Sequence, residues 1–317
     1  MNTGVLVSVV TPCRNSAPFI EHCIASVLNQ DYPHVQHVVQ DAASTDGTLA
    51  VLRKYDGRVD WLSQPDNGQS DGLNRALQRC RGEIIGVLNA DDEYLPGAVS
   101  WAVDQLERHP EVAVVYGDKC NIDATGRVLS VSRGPHPYRF DRLFCVEDVP
   151  PAQAAFIRRS YFEQVGFYAD TTRQTCPDYE MWVRIGLKFP MRYSPGFVAR
   201  YREHPGSETH QCHMIDLAVQ SRLEVIERTI RDPATPDRVK ALRKRAVAGA
   251  YLWAAVAKRD VCSHRPEVLN YLRRAALANP GPRTCLRLAR FLLASVTPSR
   301  FREALAYGHG TELVRSR

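Results

Sequence analysis

The sequence lacks any apolar run long enough to cross a membrane. The first apolar segment, residues 5–10, is interrupted by Ser8, and no later segment reaches the roughly 18 apolar residues that a spanning helix needs. The residues before it also lack the positive charges that begin a secretory signal peptide. We therefore expect a cytoplasmic protein that binds, at most peripherally, to the inner face of the cell membrane.

A cysteine pattern typical of disulfide scaffolds or zinc sites is missing as well. The nine cysteines are scattered, and no two of them form a Cys-x-x-Cys pair. Their odd number and irregular spacing argue against a disulfide framework and against structural zinc. The sequence therefore predicts free thiols in a reducing compartment.

The rest of the composition is that of an ordinary globular protein, with 44% apolar and 24% charged residues among 317. This length suffices for one large domain or two modest ones. Charge is distributed unevenly, because residues 231–317 carry 18 Lys and Arg against 6 Asp and Glu, whereas residues 1–230 carry 23 against 29. An acidic front part and a basic tail indicate different partners.

Short apolar segments alternate with segments of helical periodicity over about the first 115 residues, which is typical of a parallel sheet flanked by helices. Beyond residue 118 the pattern changes to a hairpin, a strand, a helix over 178–189 and a strand over 191–202. From about 213 the sequence reads as helices separated by prolines. The predicted strands of the first part are 6–10, 35–40, 59–63, 83–88 and 112–116.

Polar side chains follow the strands of this predicted sheet. In such sheets ligands bind beyond the carboxyl ends of the strands. The segments to examine are 11–15, Asp41, the region of Gln64 and 89–92.

The segment Asn89-Ala90-Asp91-Asp92 places two adjacent carboxylates after an apolar strand. Adjacent carboxylates repel each other, and a bound cation relieves that repulsion. Oxygen ligands suit Mg²⁺ or Mn²⁺, and a hard cation with open positions suits a diphosphate. A solvated turn or a helix N-cap is the alternative.

For several other polar residues, both ligand binding and an ordinary role in capping or stabilising a helix would explain their position. Asp41 could accept from a nucleobase N–H or a ribose hydroxyl, or lie in a loop that caps the next helix. Asp71 and Asn74 share one helix face. Asp178 opens a helix, where the dipole favours acids, but it could also act as a general base. His204 could bind a metal or lie on the surface.

Together these segments resemble the family 2 glycosyltransferases, which have the nucleotide-diphosphosugar transferase (GT-A) fold. The resemblance runs from about Val7 to about Ser207, and no single segment is specific, but six of them occur in the family's order. The matching segments are 9–15, 40–48, 66–74, 89–92, 153–159 and 177–184. Two departures, Pro177 before the base position and Ala42-Ala43 after Asp41, remove no functional group.

The resemblance implies an α/β fold of GT-A type, a mixed and mainly parallel sheet flanked by helices, with a C-terminal helical extension. The catalytic domain would span 1–210, divided into a nucleotide-binding half (1–117) and an acceptor-side half (118–210). A basic helical region would occupy 211–317.

The resemblance also implies residue roles. Asp178 would be the catalytic base, Asp41 would accept from the base of the nucleotide, usually uracil, and Asp91 and Asp92 would form the metal motif. Asp92 is the preferred direct ligand, and a metal or phosphate role for His204 is a further possibility. The residues expected to bind the donor are Thr11, Pro12, Arg14, Asn15, Asp41, Asp71, Asn74, Asn89 and Asp91.

The implied activity is inverting transfer of a sugar from a nucleotide-diphosphate sugar, expected to be a UDP-sugar, to a glycan or lipid-linked acceptor. Mn²⁺ or Mg²⁺ would hold the diphosphate. Residues 283–296 predict a cationic amphipathic helix, which suits either an anionic membrane surface or packing against protein.

Two other functions remain open. A nucleotidyltransferase of the same fold would carry a glycine-rich phosphate loop after the first strand, and residues 11–15 contain no glycine. A catalytically silent nucleotide- or nucleic-acid-binding module is the second, but the tail lacks a nucleic-acid-binding motif, so no nucleic acid is expected as a partner.

Overall fold

The computed structural model describes residues 4–134, 136–168, 176–207, 211–262 and 265–281, with isolated positions further on. The chain divides into two compact units. The first unit comprises Met1–Tyr138, Pro150–Thr172 and Arg184–Arg202, and the second comprises Arg139–Val149, Arg173–Val183 and Glu203–Arg317. The division into a 1–210 catalytic domain and a 211–317 extension stays a prediction.

The first unit is built on the predicted sheet. Its strands are β1 (Val7–Cys13), β2 (Val35–Asp41), β3 (Asp60–Ser63), β4 (Ile84–Val87), β5 (Glu93–Tyr94), β6 (Val114–Ile122), β7 (Val128–Ser132), β8 (Ala155–Arg158) and β9 (Met191–Arg202). The order β3-β2-β1-β4 is parallel throughout, and β8 joins β4 and β6 in antiparallel fashion. The mixed, mainly parallel sheet predicted from the sequence is thus confirmed.

Helices lie between these strands. They are α1 (Ile20–Leu28), α2 (Thr48–Arg53), α3 (Gln69–Arg79), α4 (Ala98–Arg108) and α6 (Arg159–Val165), while α5 (Phe140–Phe144) falls in the second unit. Apolar residues of α1 and α4 pack against β1, β4 and β6 in the main core. Those helices therefore form because their apolar stripe is buried on the sheet.

Two strands are longer than predicted. β1 continues through Pro12 to Cys13, paired with Gln40 and Asp41 of β2, and β6 reaches Ile122 because β7 and β9 pair along its second half. The pairing partner, which periodicity does not reveal, sets where a strand ends.

The second unit is mainly helical. It contains the start of α7 (Pro177–Lys188), then α8 (Cys212–Arg231), α9 (Asp237–Lys240), α10 (Arg243–Val261) and α11 (Arg265–Ala278), and a short strand β10 (Thr311–Glu312) is also assigned to it. The buried cation Lys258 joins three helices, since its Nζ lies 2.8 Å from Asp216 and 2.6 Å from Glu267. In the described ranges no helix has the length and apolarity to cross a bilayer.

One sequence expectation is wrong in this unit. Cys212 and Cys262 form a disulfide between the start of α8 and the end of α10, with Cα atoms 5.8 Å apart. A spacing of 50 residues carries no motif, so only the packing of two helices reveals the pair. The predicted amphipathic helix over 283–296 lies outside the described residues apart from single positions.

Candidate active site

Thr11, predicted to line the nucleotide pocket, is fully buried near the end of β1. Its hydroxyl lies 2.9 Å from Nε2 of His37 and 3.7 Å from Sγ of Cys23. Burial lowers the pKa of His37 to about 3, so the ring is neutral at physiological pH. Because its side chain is buried and hydrogen-bonded, Thr11 can border a ligand only through its main chain. Pro12 is half-buried and Arg14 is exposed.

Asp41, predicted to accept from the nucleobase, is also fully buried. Its Oδ2 accepts the N–H of Ser44 at 2.9 Å and the hydroxyl of Ser63 at 2.6 Å. Its Oδ1 accepts the hydroxyl of Ser44 and, at 3.5 Å, the thiol of Cys13. Since a carboxylate has about four acceptor positions, a base N–H would have to displace one of these donors.

The loops after β1 and β2 are joined by hydrogen bonds between side chain and main chain. Asn15 donates its N–H to Oγ of Ser44 at 2.7 Å, and its Oδ1 accepts the N–H of Thr45 at 2.9 Å. The N–H of Ala17 donates to Asp46 at 3.0 Å. Asn15 itself has a φ of +50°, a region that Asn tolerates better than most residues. The two loops thus form one ordered wall at the carboxyl edge of the sheet.

Helix α3 carries the next two predicted donor-binding residues. Asp71 accepts the N–H of Asn67 at 2.9 Å and pairs with Arg75 at 2.8 Å, and these two contacts lower the pKa of its carboxyl. Asn74 bonds the main chain of Tyr168 twice, at 2.9 and 3.0 Å. Asp71 remains on the surface, whereas the amide of Asn74 holds a neighbouring segment.

The segment 89–92 follows β4 at the same edge of the sheet. The side chain of Asn89 accepts from Gln69 at 3.3 Å, so the start of α3 reaches this segment. Asp91 is half-buried, whereas Asp92 is 0% exposed. The two acids are neighbours in sequence but differ completely in their access to solvent.

Asp92 has an unusual environment for a carboxylate. Burial, followed by the charge of Asp91, raises the pKa of Asp92 well above its usual range. Its Oδ1 accepts the N–H of Arg202 at 2.9 Å, but its Oδ2 has no hydrogen-bond partner among the described residues. An unsatisfied buried carboxylate oxygen is costly.

A divalent cation would satisfy this arrangement, so the residues present fit a metal site of the kind predicted. In the described part of the chain, no three side chains of His, Cys, Asp or Glu gather as a complete ligand set. A cation bound by Asp91 and Asp92 would keep open positions for other oxygen ligands, as Mg²⁺ sites commonly do.

Arg202 is the residue of this site to which the sequence analysis assigned no role. It is 2% exposed, its Nε donates to the main-chain oxygen of Asp91 at 2.9 Å, and its Nη2 pairs with Glu93. Nη1 donates to two carbonyls of the turn 123–124, at 3.1 and 3.2 Å. The guanidinium also lies 5.2 Å from the ring centroid of Phe19. Arg202 thus fixes the acidic segment to β9, a role visible only once β5 and β9 are paired.

Asp178 belongs to the second unit, in the first turn of α7. It is half-buried, whereas its neighbours Tyr179 and Glu180 are buried. Tyr179 donates its hydroxyl to the main-chain oxygen of Phe144 at 2.8 Å, and Glu180 pairs with Arg228 of α8 at 2.5 Å. Helix α7 therefore starts at a position set by two buried contacts, with Asp178 still accessible between them.

His204 is also in the second unit. Its Nδ1 accepts the N–H of Gly206 at 3.1 Å, and its main-chain N–H donates to Ser207 at 3.3 Å. A metal-binding histidine usually donates from its second ring nitrogen to an acceptor, and here Nδ1 accepts instead. The metal role of His204 stays a prediction that this local geometry does not favour.

Comparison with known proteins identifies the family. The model of "Glycosyl transferase family 2" matches residues 8–166, half of the chain. The chain belongs to glycosyl transferase family 2. Similar proteins include chondroitin synthase of Escherichia coli, 35% identical over 191 residues, and the putative teichuronic acid biosynthesis glycosyltransferase TuaG of Bacillus subtilis, 34% identical over 137 residues.

These matches are partial. The first covers 59% of this chain and 27% of the synthase, and the second covers 42% of this chain and 51% of TuaG. The chain therefore spans about a quarter to a half of the length of these two family members.

Solved structures agree in fold with this family member. The mannosyltransferase PcManGT from Pyrobaculum calidifontis, in complex with GDP-Man and Mn²⁺, has a TM-score of 0.62 at 22% identity, covering 96% of this chain and 85% of that one. Staphylococcus aureus TarS 1-349, in complex with UDP-GlcNAc, has a TM-score of 0.61 at 16% identity, covering 95% and 86%. The GT-A fold expected from the resemblance is confirmed.

Proposed function

We propose that this family 2 member is an inverting glycosyltransferase that moves a sugar from a UDP-sugar to a hydroxyl of a glycan or lipid-linked acceptor in polysaccharide biosynthesis. The observation that carries the proposal is the acidic pair Asp91 and Asp92, whose buried Oδ2 on Asp92 has no protein partner among the described residues. A bound divalent cation would satisfy that oxygen, and the diphosphate of a nucleotide-sugar donor is a group that such a cation binds.

The two carboxylates have different roles in this proposal. Asp91 is accessible and is the carboxylate that a diphosphate-bound Mn²⁺ or Mg²⁺ can reach first, which changes the preference for Asp92 derived from the sequence. Asp92 is held by the N–H of Arg202, and its negative charge would stabilise a cation bound beside it. When bound, the metal would neutralise the leaving diphosphate.

The donor's nucleotide would lie against the joined loops after β1 and β2. Because the carboxylate of Asp41 is engaged by Ser44, Ser63 and Cys13, we assign it to shaping this wall, and recognition of the base to main-chain groups of the loop. Asp71 and Asn89, at the accessible side of α3 and β4, would face the diphosphate and sugar. UDP is proposed because TarS 1-349 binds UDP-GlcNAc, and GDP is the competing base because PcManGT binds GDP-Man.

Asp178 is proposed as the general base. Its carboxylate removes the proton from the acceptor hydroxyl as that oxygen attacks the anomeric carbon, on the face opposite to the leaving diphosphate, which inverts the configuration. The side-chain contacts of Tyr179 and Glu180 support the role, because they position the first turn of α7. The carboxylate of Asp178 accepts the main-chain N–H of Tyr179 at Oδ1, at 2.8 Å, which orients it. Proton transfer of this kind contributes roughly 10²–10⁴ in rate.

Replacing Asp178 by Asn tests this assignment. Transfer should fall roughly 10²–10⁴-fold, while donor binding, followed as the thermal shift produced by UDP-sugar with Mn²⁺, should stay unchanged. The matched control is Glu224→Gln, an exposed acid of α8, which should leave both readouts unaltered. Near-normal transfer by Asp178→Asn would show that another group is the base. A release assay over UDP- and GDP-sugars identifies the donor in the same experiment.

A further inference from the structure

A cavity of about 430 Å³ lies within the second unit, among helices α8, α10 and α11. Three residues of α8 spaced four apart form one wall, and one face of α10 forms the other. Its volume lies within the roughly 300–1,000 Å³ typical of small-molecule sites. The lining residues are Leu223, Glu227, Arg231, Arg243, Lys244, Val247, Tyr251 and Ala278.

The charge of this cavity is positive. Arg243 pairs at 2.6 Å with Glu227, the single carboxylate among the described lining residues. Arg231 and Lys244 are exposed, and among the described residues neither has a carboxylate partner. The guanidinium of Arg274 lies 5.6 Å from the ring centroid of Tyr251, which adds a further cation beside the wall. Two lining cations without a carboxylate partner among the described residues give this surface a positive charge, which favours an anionic ligand.

The remaining surface of the cavity is apolar. Leu223, Val247 and Ala278 contribute only hydrocarbon, and Tyr251 is the single uncharged polar side chain among the described lining residues. A glycan would need several amide, hydroxyl or carboxylate groups to bond its own hydroxyls, and the described part of the lining does not offer that set. An alkyl or prenyl chain needs only such an apolar surface, which it buries at about 25 cal/mol per Å².

From these observations we propose that the cavity binds a phosphate-bearing amphiphile. The phosphate lies between Arg231 and Lys244, and the first part of the hydrocarbon chain lies on Leu223, Val247 and Tyr251. All of these residues belong to the second unit, and binding there is independent of sugar transfer.

Binding of octyl phosphate, below its micelle concentration, tests the proposal by titration calorimetry on the full chain. Octyl phosphate should bind, whereas octanol and inorganic phosphate should each bind at least about tenfold more weakly, because each lacks one of the two recognised parts. If inorganic phosphate binds as tightly as octyl phosphate, the hydrocarbon chain is not recognised and the proposal is wrong. If octanol binds as tightly as octyl phosphate, the phosphate is not recognised and the proposal is equally wrong.

The double variant Arg231→Gln/Lys244→Gln should weaken octyl phosphate binding about tenfold or more. The matched control, Arg238→Gln/Arg273→Gln, removes the same charge from exposed positions of the same unit that do not line the cavity. An equal loss in both double variants would mean unspecific attraction and would overturn the site.

A third variant fills the cavity without changing its charge. Ala278→Trp, at the end of α11, should weaken octyl phosphate binding while the melting temperature stays near that of the wild type. A hexuronate oligosaccharide serves as the rival ligand. If it binds in a manner sensitive to Arg231→Gln/Lys244→Gln and octyl phosphate does not, the cavity is a glycan site and the proposal is wrong.

Discussion

The end of β2 and the loop after β4 each place a buried aspartate at the same edge of the sheet, but the two carboxylates have different hydrogen-bond partners. Asp41 receives donors at both oxygens from Ser44, Ser63 and Cys13. Asp92 receives the main-chain N–H of Arg202 and a side-chain hydrogen bond from Asn89, stands beside a second acid, and keeps an Oδ2 without a partner among the described residues. Because Asp41 is fully hydrogen-bonded by the protein, we assign it a structural role, and we propose that Asp92, whose Oδ2 lacks a partner among the described residues, is the aspartate available to a ligand.

The largest effect should follow from neutralising the unsatisfied acids. Asp91→Asn and Asp92→Asn should each lower transfer roughly 10²–10³-fold, since both remove charge that is proposed to hold the metal. Without metal, Asp92→Asn should fold at least as stably as the wild type, because it removes a buried charge next to Asp91. Activity assays with added Mn²⁺ and urea unfolding in EDTA measure the two effects.

The pH dependence sharpens this prediction. Burial raises the pKa of Asp92 in the folded state, so ionisation of Asp92 opposes folding at high pH, and protonation restores stability as the pH falls through the raised pKa. The stability advantage of Asp92→Asn should therefore shrink as the pH falls. A stability advantage of Asp92→Asn that grows as the pH falls would contradict the buried environment assigned to Asp92. Full transfer activity of the wild type in EDTA would contradict the proposed metal.

The opposite outcome is expected for the satisfied acid. Asp41→Asn turns an amide NH₂ toward hydroxyl and N–H donors, which should lower the free energy of unfolding by about 2–4 kcal/mol. Urea unfolding measures this loss, and Asp56→Asn, at a surface position, is the control. If the Asp41→Asn variant is as stable as the wild type but no longer binds the donor, Asp41 recognises the nucleobase. The proposed difference in role between Asp41 and Asp92 would then be wrong.

Glu180, a buried and ion-paired acid of the second unit, offers a further test of the comparison. Glu180→Gln weakens the pair with Arg228 and should lower kcat about tenfold through a misplaced Asp178, with the donor KM unchanged. Arg228→Met should do the same, whereas Arg231→Gln, also near the end of α8 and away from this pair, should not. If KM for the donor rises and kcat holds, Glu180 does not position the base.

The smallest effect should come from Thr11. Its hydroxyl bonds His37 and Cys23 in the core, so Thr11→Val should cost about 1 kcal/mol of stability and leave the donor KM unchanged. Thermal unfolding and steady-state kinetics measure both. A several-fold rise in the donor KM would show that the side chain of Thr11 contributes to nucleotide binding.

Much of the fold could be predicted from the sequence, because apolar runs and helical periodicity are local signals. Strand β9 was predicted at 191–202, the bounds that the structure has. The disulfide between Cys212 and Cys262 could not be predicted, since it depends on how α8 packs against α10. The role of Arg202 was missed for the same reason, because its partners lie more than 70 residues away.

The sequence by itself determined the alternation of strands and helices, the family, and which segments carry acids at the edge of the sheet. Only the tertiary structure decided which of those acids are fully hydrogen-bonded, because Cys13 and Ser63, which donate to Asp41, and Arg202, which donates to Asp92, lie on other strands. Residue type and order place a carboxylate at or after the end of a strand and a serine near Asp41, but the complete set of donors depends on distant parts of the chain. The proposed distinction between a structural and a ligand-binding aspartate therefore rests on the folded protein.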